Sequence, residues 1–209
     1  LHEDLIWNIL DRNLKTRSTA STINKAIPNL IPTFDVALAK AFDEKTQKKV
    51  DWNDGWQVSR KLDGCRCICI IDGEGEPKFF SRSGKEFLTL DNLKPELRVL
   101  NLSNMVFDGE ICMLDENGDE DFQNIIKQIK RKDHTIENPY YWMFDFLTLK
   151  EFQDKTSLTT FNERITNLYS IIEDGPEFIG ILDQLDCDDE VFSRMMDMSK
   201  EGGWEGLML

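Results

Sequence analysis

The chain has 209 residues and a formal net charge of −14, with 40% hydrophobic and 31% charged residues. That length admits one sizeable core, or one domain with an appendage; no apolar run approaches the roughly 18 residues of a membrane span, and the first residues show no secretory pattern. The acidity argues against a uniformly basic nucleic-acid binder, but the charge is uneven. Acid gathers at 115–121 and 183–190, and Lys and Arg at 12–17, 45–49, 78–85 and 127–132. Local patches, more than net charge, decide what binds.

Residues 1–30 read as helical, with Leu5, Ile6, Ile9 and Leu10 at helical spacing. A second short helix is expected at 20–26, broken by the two prolines of Ile27-Pro28-Asn29-Leu30-Ile31-Pro32. The sequence starts inside this pattern without an initiator Met, so more protein is expected upstream. Residues 36–42 form a short apolar segment and 45–55 a polar loop. From Trp56 the pattern turns to strands, at 57–60 and 65–72, then the hairpin turn Asp72-Gly73-Glu74-Gly75 and a return strand at 77–81. The turn Arg82-Ser83-Gly84-Lys85 precedes a helix at 90–100. A strand at 105–114 closes on Asp115-Glu116-Asn117-Gly118, and an amphipathic helix follows at 122–132. An aromatic strand at 140–149, a helix at 160–172, a strand at 178–185 and a helix at 190–201 lead to a last strand from Trp204. There are no internal repeats. The fold class is α+β, two mainly antiparallel sheets with flanking helices.

Five cysteines is an odd number. Cys65, Cys67 and Cys69 alternate along one strand and share a face. That arrangement suits neither a disulfide nor tetrahedral zinc, and reads as reduced core thiols of a cytosolic protein.

The stretch that organises the chain is Lys61-Leu62-Asp63-Gly64-Cys65-Arg66. A lysine stands just before an Asp-Gly step between two strands. Glycine there permits a positive φ and a close backbone approach. A lysine held among cations or in a desolvated pocket can attack through its amine, although a solvated hairpin lysine is the commoner explanation of such a stretch alone. Four more stretches follow in order: Ser81-Arg82-Ser83-Gly84, Phe107-Asp108-Gly109-Glu110, Tyr141-Trp142-Met143-Phe144-Asp145-Phe146 and Glu205-Gly206-Leu207-Met208. Singly these are a turn, a solvated arginine or core aromatics.

Together, their order and spacing resemble the covalent nucleotidyltransferase superfamily of ATP-dependent DNA ligases, RNA ligases and capping enzymes, at its motifs I, Ia, III, IIIa and IV. The resemblance covers about residues 30–209. Residues 1–30 look like the C-terminal end of the helical DNA-binding domain that precedes the adenylation domain in bacteriophage-type and eukaryotic DNA ligases. The resemblance implies an ATP-dependent DNA ligase with a nucleotidyltransferase (ATP-grasp-like) core over 31–209. Lys61 attacks the α-phosphorus of ATP and becomes lysyl-AMP; AMP passes to the 5′-phosphate of a nick in duplex DNA, and the 3′-hydroxyl displaces it. Such transfer needs in-line geometry and charge neutralisation.

The same resemblance gives Lys61, Asp63 and Arg66 catalytic positions, with Asp63 also near the 3′-hydroxyl. It puts Arg66 and Arg82 on phosphates, Glu110 on the ribose hydroxyls and Phe144 against adenine. Asp108, Glu110 and Glu205 become candidate ligands of Mg²⁺. It implies a monomer working on ATP and nicked DNA in the cytoplasm (of the host, if viral), away from membranes. Ser59 departs from the pattern, since the position two before the lysine is often Glu or Gln and sits near the adenine amino group. The final lysine pair and an OB-type domain are expected beyond Leu209. An RNA ligase or guanylyltransferase of the same superfamily, a catalytically silent nick-binding module and a purely structural domain stand as alternatives.

Overall fold

The computed structural model describes residues 20–27, 36–172 and 176–209. The chain divides into two units, Leu1–Phe34 and Asp35–Leu209. In the first, α1 (Ala20–Ala26) lies where a helix was expected; the expected helix before it and the prolines after it fall outside the described residues.

The second unit holds two sheets. The smaller has three antiparallel strands in the order β7-β1-β8, namely β7 (Leu185–Asp186), β1 (Gln57–Lys61) and β8 (Gly206–Met208). The larger has the order β3-β2-β4-β5-β6, with β2 (Cys65–Ile71), β3 (Pro77–Ser81), β4 (Met105–Cys112), β5 (Tyr140–Thr148) and β6 (Ile179–Ile181). All its neighbours are antiparallel except the edge strand β6, which runs parallel to β5. The α+β expectation holds. Among the described residues no helix is long and apolar enough to cross a membrane.

Alternation along β2 explains the cysteines: Cys67 and Cys69 face the main core, while Arg66 points the other way. All five cysteines are free thiols. That core also takes α3 (Leu93–Arg98) through Leu93 and Leu97, α4 (Phe122–Ile129) through Ile125 and Ile129, and α6 (Phe161–Ile172) through Ile165, Leu168 and Ile172. A second, smaller core joins Val58 of β1 to Met195 of α7 (Asp189–Glu201), with Trp52, Trp56 and Trp204 packed around it. Two cores on two sheets leave room for a cleft between them.

Four elements differ from expectation, each for a local reason. The helix expected at 90–100 begins only at Leu93, because a start at Leu90 would require Pro95 to donate to Asp91. The expected polar loop at 45–55 holds the short helix α2 (Glu44–Gln47), capped by Asp43, and a 3₁₀ turn (Trp52–Asp54) capped by Asp51. The helix α5 (Leu149–Asp154) was not foreseen, although Thr148 and Glu151 form its capping box. The strand expected at 178–185 is two strands in two sheets. Beside β5, Gly180 lies so close to the Trp142 ring that a Cβ would come within 2.6 Å of it. Leu182 then donates to the Met143 carbonyl (2.8 Å), and the chain crosses so that Leu185 pairs with Val58.

The large sheet is pinned at its centre by Tyr141, whose buried hydroxyl donates to the carbonyls of Phe107 (3.0 Å) and Cys67 (3.1 Å). Tyr141→Phe strips both carbonyls of this donor and is expected to lower unfolding free energy by about 1–2 kcal/mol. Urea denaturation checks this.

Candidate active site

The cleft has a volume of about 660 Å³ and is walled by both sheets: Gln57, Ser59 and Met208 from the smaller, Arg66, Asp108 and Phe144 from the larger. That volume suits a nucleotide-sized ligand. Ala37, Leu38 and Ala39 line it as well, from a segment that the sequence marked only as apolar. The crossing between β6 and β7 contributes Leu182 and Gln184.

Lys61 ends β1, with Gly206 as its Cα partner on β8. This register brings the Lys61 amine into an ion pair with the Glu205 carboxylate. The partner is a carboxylate because the residue before β8 is acidic. Gly64 plays a different part from the one expected. Its φ is not in the left-handed region, but a Cβ there would lie 2.6 Å from the Ile111 carbonyl and 2.7 Å from Glu110 Cγ. Glycine is needed because the turn after Lys61 presses against β4.

Arg66 sits opposite Glu110 across β2 and β4. Its guanidinium grips Asp108 with two bonds, Nε to Oδ1 at 2.5 Å and Nη2 to Oδ2 at 2.6 Å, and lies 4.7 Å from the centre of the Phe144 ring. Phe144 is positioned by a bulge: Asp108 pairs with Asp145 and Gly109 with Met143, so Phe144 is the extra residue on β5. Bulges re-aim side chains, and this one turns an aromatic ring into the cleft. A second Arg–Asp pair lies alongside, with Arg164 Nε donating to Asp145 Oδ1 (2.7 Å) and Nη2 to Oδ2 (2.9 Å). Arg164 and Asp145 both line the cleft. Arg164 escaped notice in the sequence because it reads as one more polar residue of a helix.

Burial raises the carboxyls of this cluster. Asp108 is raised by desolvation in spite of Arg66. Glu110 is pushed up to about 8, first by burial and then by Asp108 and Glu205, against Arg66 and Lys61. Without nucleotide or metal, folded Glu110 keeps its proton where an unfolded glutamate, near 4.5, has lost it. Its stabilising contribution is therefore full below about 4.5 and lost as pH rises through about 8. Glu110→Gln is expected to remove this part of the decline. Unfolding free energies of both proteins at about pH 5 and about pH 8 check it.

The structure thus gathers Lys61, Glu205, Glu110, Arg66, Asp108 and Phe144 in one neighbourhood. Of these, Arg66, Asp108 and Phe144 line the cleft, while Lys61, Glu110 and Glu205, like Asp63 and Arg82, stand outside its lining. Asp63 acts on Glu120, the ion-pair partner of Arg60. Arg82 is exposed on its turn and acts with Lys130 on the Cys65 thiol, which burial pushes up to about 11. Among the described residues no three His, Cys, Asp or Glu side chains form a ready-made ligand group. The physical reason is pairing, since Asp108 is taken by Arg66 and Glu205 by Lys61.

A lysine two residues along β1 from the wall of a cleft between two sheets, with a carboxylate partner, an Arg–Asp pair and a re-aimed aromatic, fits a nucleotidyltransferase-type core. Residues 36–209 match the family described as "ATP dependent DNA ligase domain", and the chain belongs to that family. Among curated proteins it is similar to the DNA ligase of Enterobacteria phage T4, 31% identical over 118 residues, which is 52% of this chain and 24% of that protein. The DNA ligase of African swine fever virus (isolate Tick/South Africa/Pretoriuskop Pr4/1996) is 30% identical over 106 residues, 49% of this chain and 24% of that protein. Of solved structures, "Pmar-Lig_PreS3" overlays with a TM-score of 0.76 at 26% identity, over 96% of this chain and 49% of that one. The ATP-dependent DNA ligase from bacteriophage T7, in complex with ATP, shares the fold at a TM-score of 0.60 and 19% identity, over 80% of this chain and 60% of that one. The match thus spans about a quarter of the curated relatives' length and about half of Pmar-Lig_PreS3.

Proposed function

We propose that this chain is the adenylation part of an ATP-dependent DNA ligase that seals nicks in duplex DNA. The observation that carries the reading is Lys61, held by Glu205 at the end of β1 beside a nucleotide-sized cleft. The Lys61 amine loses a proton and attacks the α-phosphorus of ATP. The Nζ–P bond forms as the bond to the β-phosphate oxygen breaks, and pyrophosphate leaves. AMP passes to the nick 5′-phosphate and is displaced by the 3′-hydroxyl, which Asp63 approaches.

Adenine packs against Phe144, and Met208 adds a second apolar surface to the same cleft. Glu110 meets the ribose hydroxyls. Arg66 exchanges Asp108 for phosphate, since a guanidinium fork suits either. Arg82, with Lys130 near it, supplies positive charge for the nick phosphate. The residues present fit Mg²⁺: Glu110 is half-buried with Asp108 and Glu205 acting on it, an excess of acid that suits a hard cation. Asp108, Glu110 and Glu205 would hold the ion together with ATP oxygens. When bound, it neutralises triphosphate charge. Residues 1–30 belong to an upstream helical DNA-binding domain, and the protein acts as a cytoplasmic monomer.

The test uses the full-length protein and a nicked duplex labelled at the internal 5′-phosphate. Joining of DNA with ATP, and not with GTP, is expected. Joining confined to RNA strands, or driven by GTP, would move the protein to the RNA-ligase or capping branch. Binding to the nick with no joining would make it a silent nick-binding module.

A further inference from the structure

Phe144 is the extra residue of the β5 bulge, and the residue after it is held from a neighbouring helix. The Asp145 carboxylate takes Nε and Nη2 of Arg164, at 2.7 Å and 2.9 Å, and its Oδ1 also accepts from the Phe146 backbone amide (2.8 Å). Nη1 of the same guanidinium donates to the Thr159 carbonyl (2.8 Å), so all three nitrogens of Arg164 are engaged within the protein. Arg164 stands on α6, which Ile165, Leu168 and Ile172 fix in the main core. The pair is largely shielded, with the Arg164 and Asp145 side chains 16% and 24% exposed. A desolvated ion pair adds little net stability, which leaves geometry as its contribution. Phe144 has one other charged neighbour, the Arg66 guanidinium 4.7 Å from its ring centre. In the reaction proposed above Arg66 turns from Asp108 to phosphate, so that support shifts, while the Asp145 clamp takes no part in the exchange.

We propose that Arg164 is a positioning residue: through Asp145 it locks the β5 bulge and so holds the Phe144 ring at the angle at which adenine stacks on it. This rests on the ligase reading above and goes beyond it by naming the residue that fixes the base platform. The extra residue of a bulge has no ladder partner of its own. A binding side chain must nonetheless stay within about 10–20° of its productive angle, and the groups behind it do that work. Here they are a carboxylate one residue along the strand and a guanidinium on a core helix.

The test measures the rate of covalent nucleotide attachment against ATP concentration for the full-length protein, Arg164→Met, Phe144→Leu and the double variant. Loss of a base stack corresponds to about tenfold in affinity. Arg164→Met is therefore expected to raise the half-saturating ATP concentration about tenfold and to leave the maximal rate nearly unchanged, since the stack serves binding and not the transfer step. Partial unfolding would lower the yield of product instead. Phe144→Leu is expected to raise the concentration similarly, and the double variant no further, because Arg164 acts through the ring. Arg164→Lys keeps the charge and one bond to Asp145 but not the fork; it is expected to fall between, and carries the test if Arg164→Met does not fold. An unchanged half-saturating concentration in the folded Arg164 variants would reduce the pair to packing. A further rise of the same size in the double variant would make Arg164 a direct nucleotide contact. Either result overturns the proposal and leaves the ligase reading intact, whereas no covalent product from wild type overturns both.

Discussion

Lys61→Ala is expected to reduce covalent nucleotide attachment and nick joining by at least about 1,000-fold, the scale of losing a reacting nucleophile. The protein should remain folded. Lys61 and Glu205 are 41% and 40% exposed at their side chains, so breaking their pair costs no more than about 1 kcal/mol. Lys61→Arg should fail as badly, since a guanidinium keeps the charge and the Glu205 partner but not a free amine. Equal inactivity of the two variants, with near-native unfolding curves, would assign the loss to chemistry. Residual activity in Lys61→Arg would mean that the cation matters and the nucleophile is elsewhere. Joining of a nick that already carries 5′-AMP should survive both substitutions better than the full reaction, because that step needs no lysyl-AMP.

The largest structural effect is expected from Gly109→Ala. A Cβ at this position would lie 2.4 Å from the Trp142 carbonyl, 2.6 Å from a Tyr141 ring carbon and 3.1 Å from Met143 Cα. Two of these are backbone atoms of the adjacent strand, which cannot step aside as a side-chain tip can. Destabilisation of about 3 kcal/mol or more is expected, or roughly 6–12 °C in Tm for a domain of this size. The substitution also pushes on the bulge that aims Phe144, and Gly109 stands between Asp108 and Glu110. Nucleotide attachment should therefore fall more than the unfolded fraction explains. Gly118→Ala is the comparison: nothing lies near a Cβ there, and only its φ of +87° resists, at about 1 kcal/mol. Calorimetry of both variants separates a packing clash from backbone strain.

Much of this architecture was legible in the sequence. Strands β1 to β5 follow from β-branched, aromatic and alternating residues bounded by Asp-Gly and Asn-Gly turns, and their ends differ from expectation by two residues or fewer. The five motif stretches were legible as a set through their order and spacing, and residues 36–209 match the ligase domain family that this pattern resembles. What stayed hidden depends on contacts between distant segments. The partner of Lys61 is set by the pairing of β1 with β8, some 145 residues away in the chain. The aim of Phe144 depends on a bulge, which one extra residue creates and no local pattern announces. Gly64 was expected to serve a turn by its φ, and serves instead by leaving space for β4. The helix α5 is a different kind of miss, since Thr148 and Glu151 stood at capping-box spacing in plain sight.

The site at which the nucleotide becomes attached decides whether Lys61 is the nucleophile. The full-length protein would be incubated with Mg²⁺ and ATP, digested, and its peptides weighed by mass spectrometry. The predicted result is the added mass of one AMP on the peptide containing Lys61, at that lysine alone and absent from Lys61→Ala. AMP on another residue, or an unmodified Lys61 in a protein that joins nicks, would contradict it.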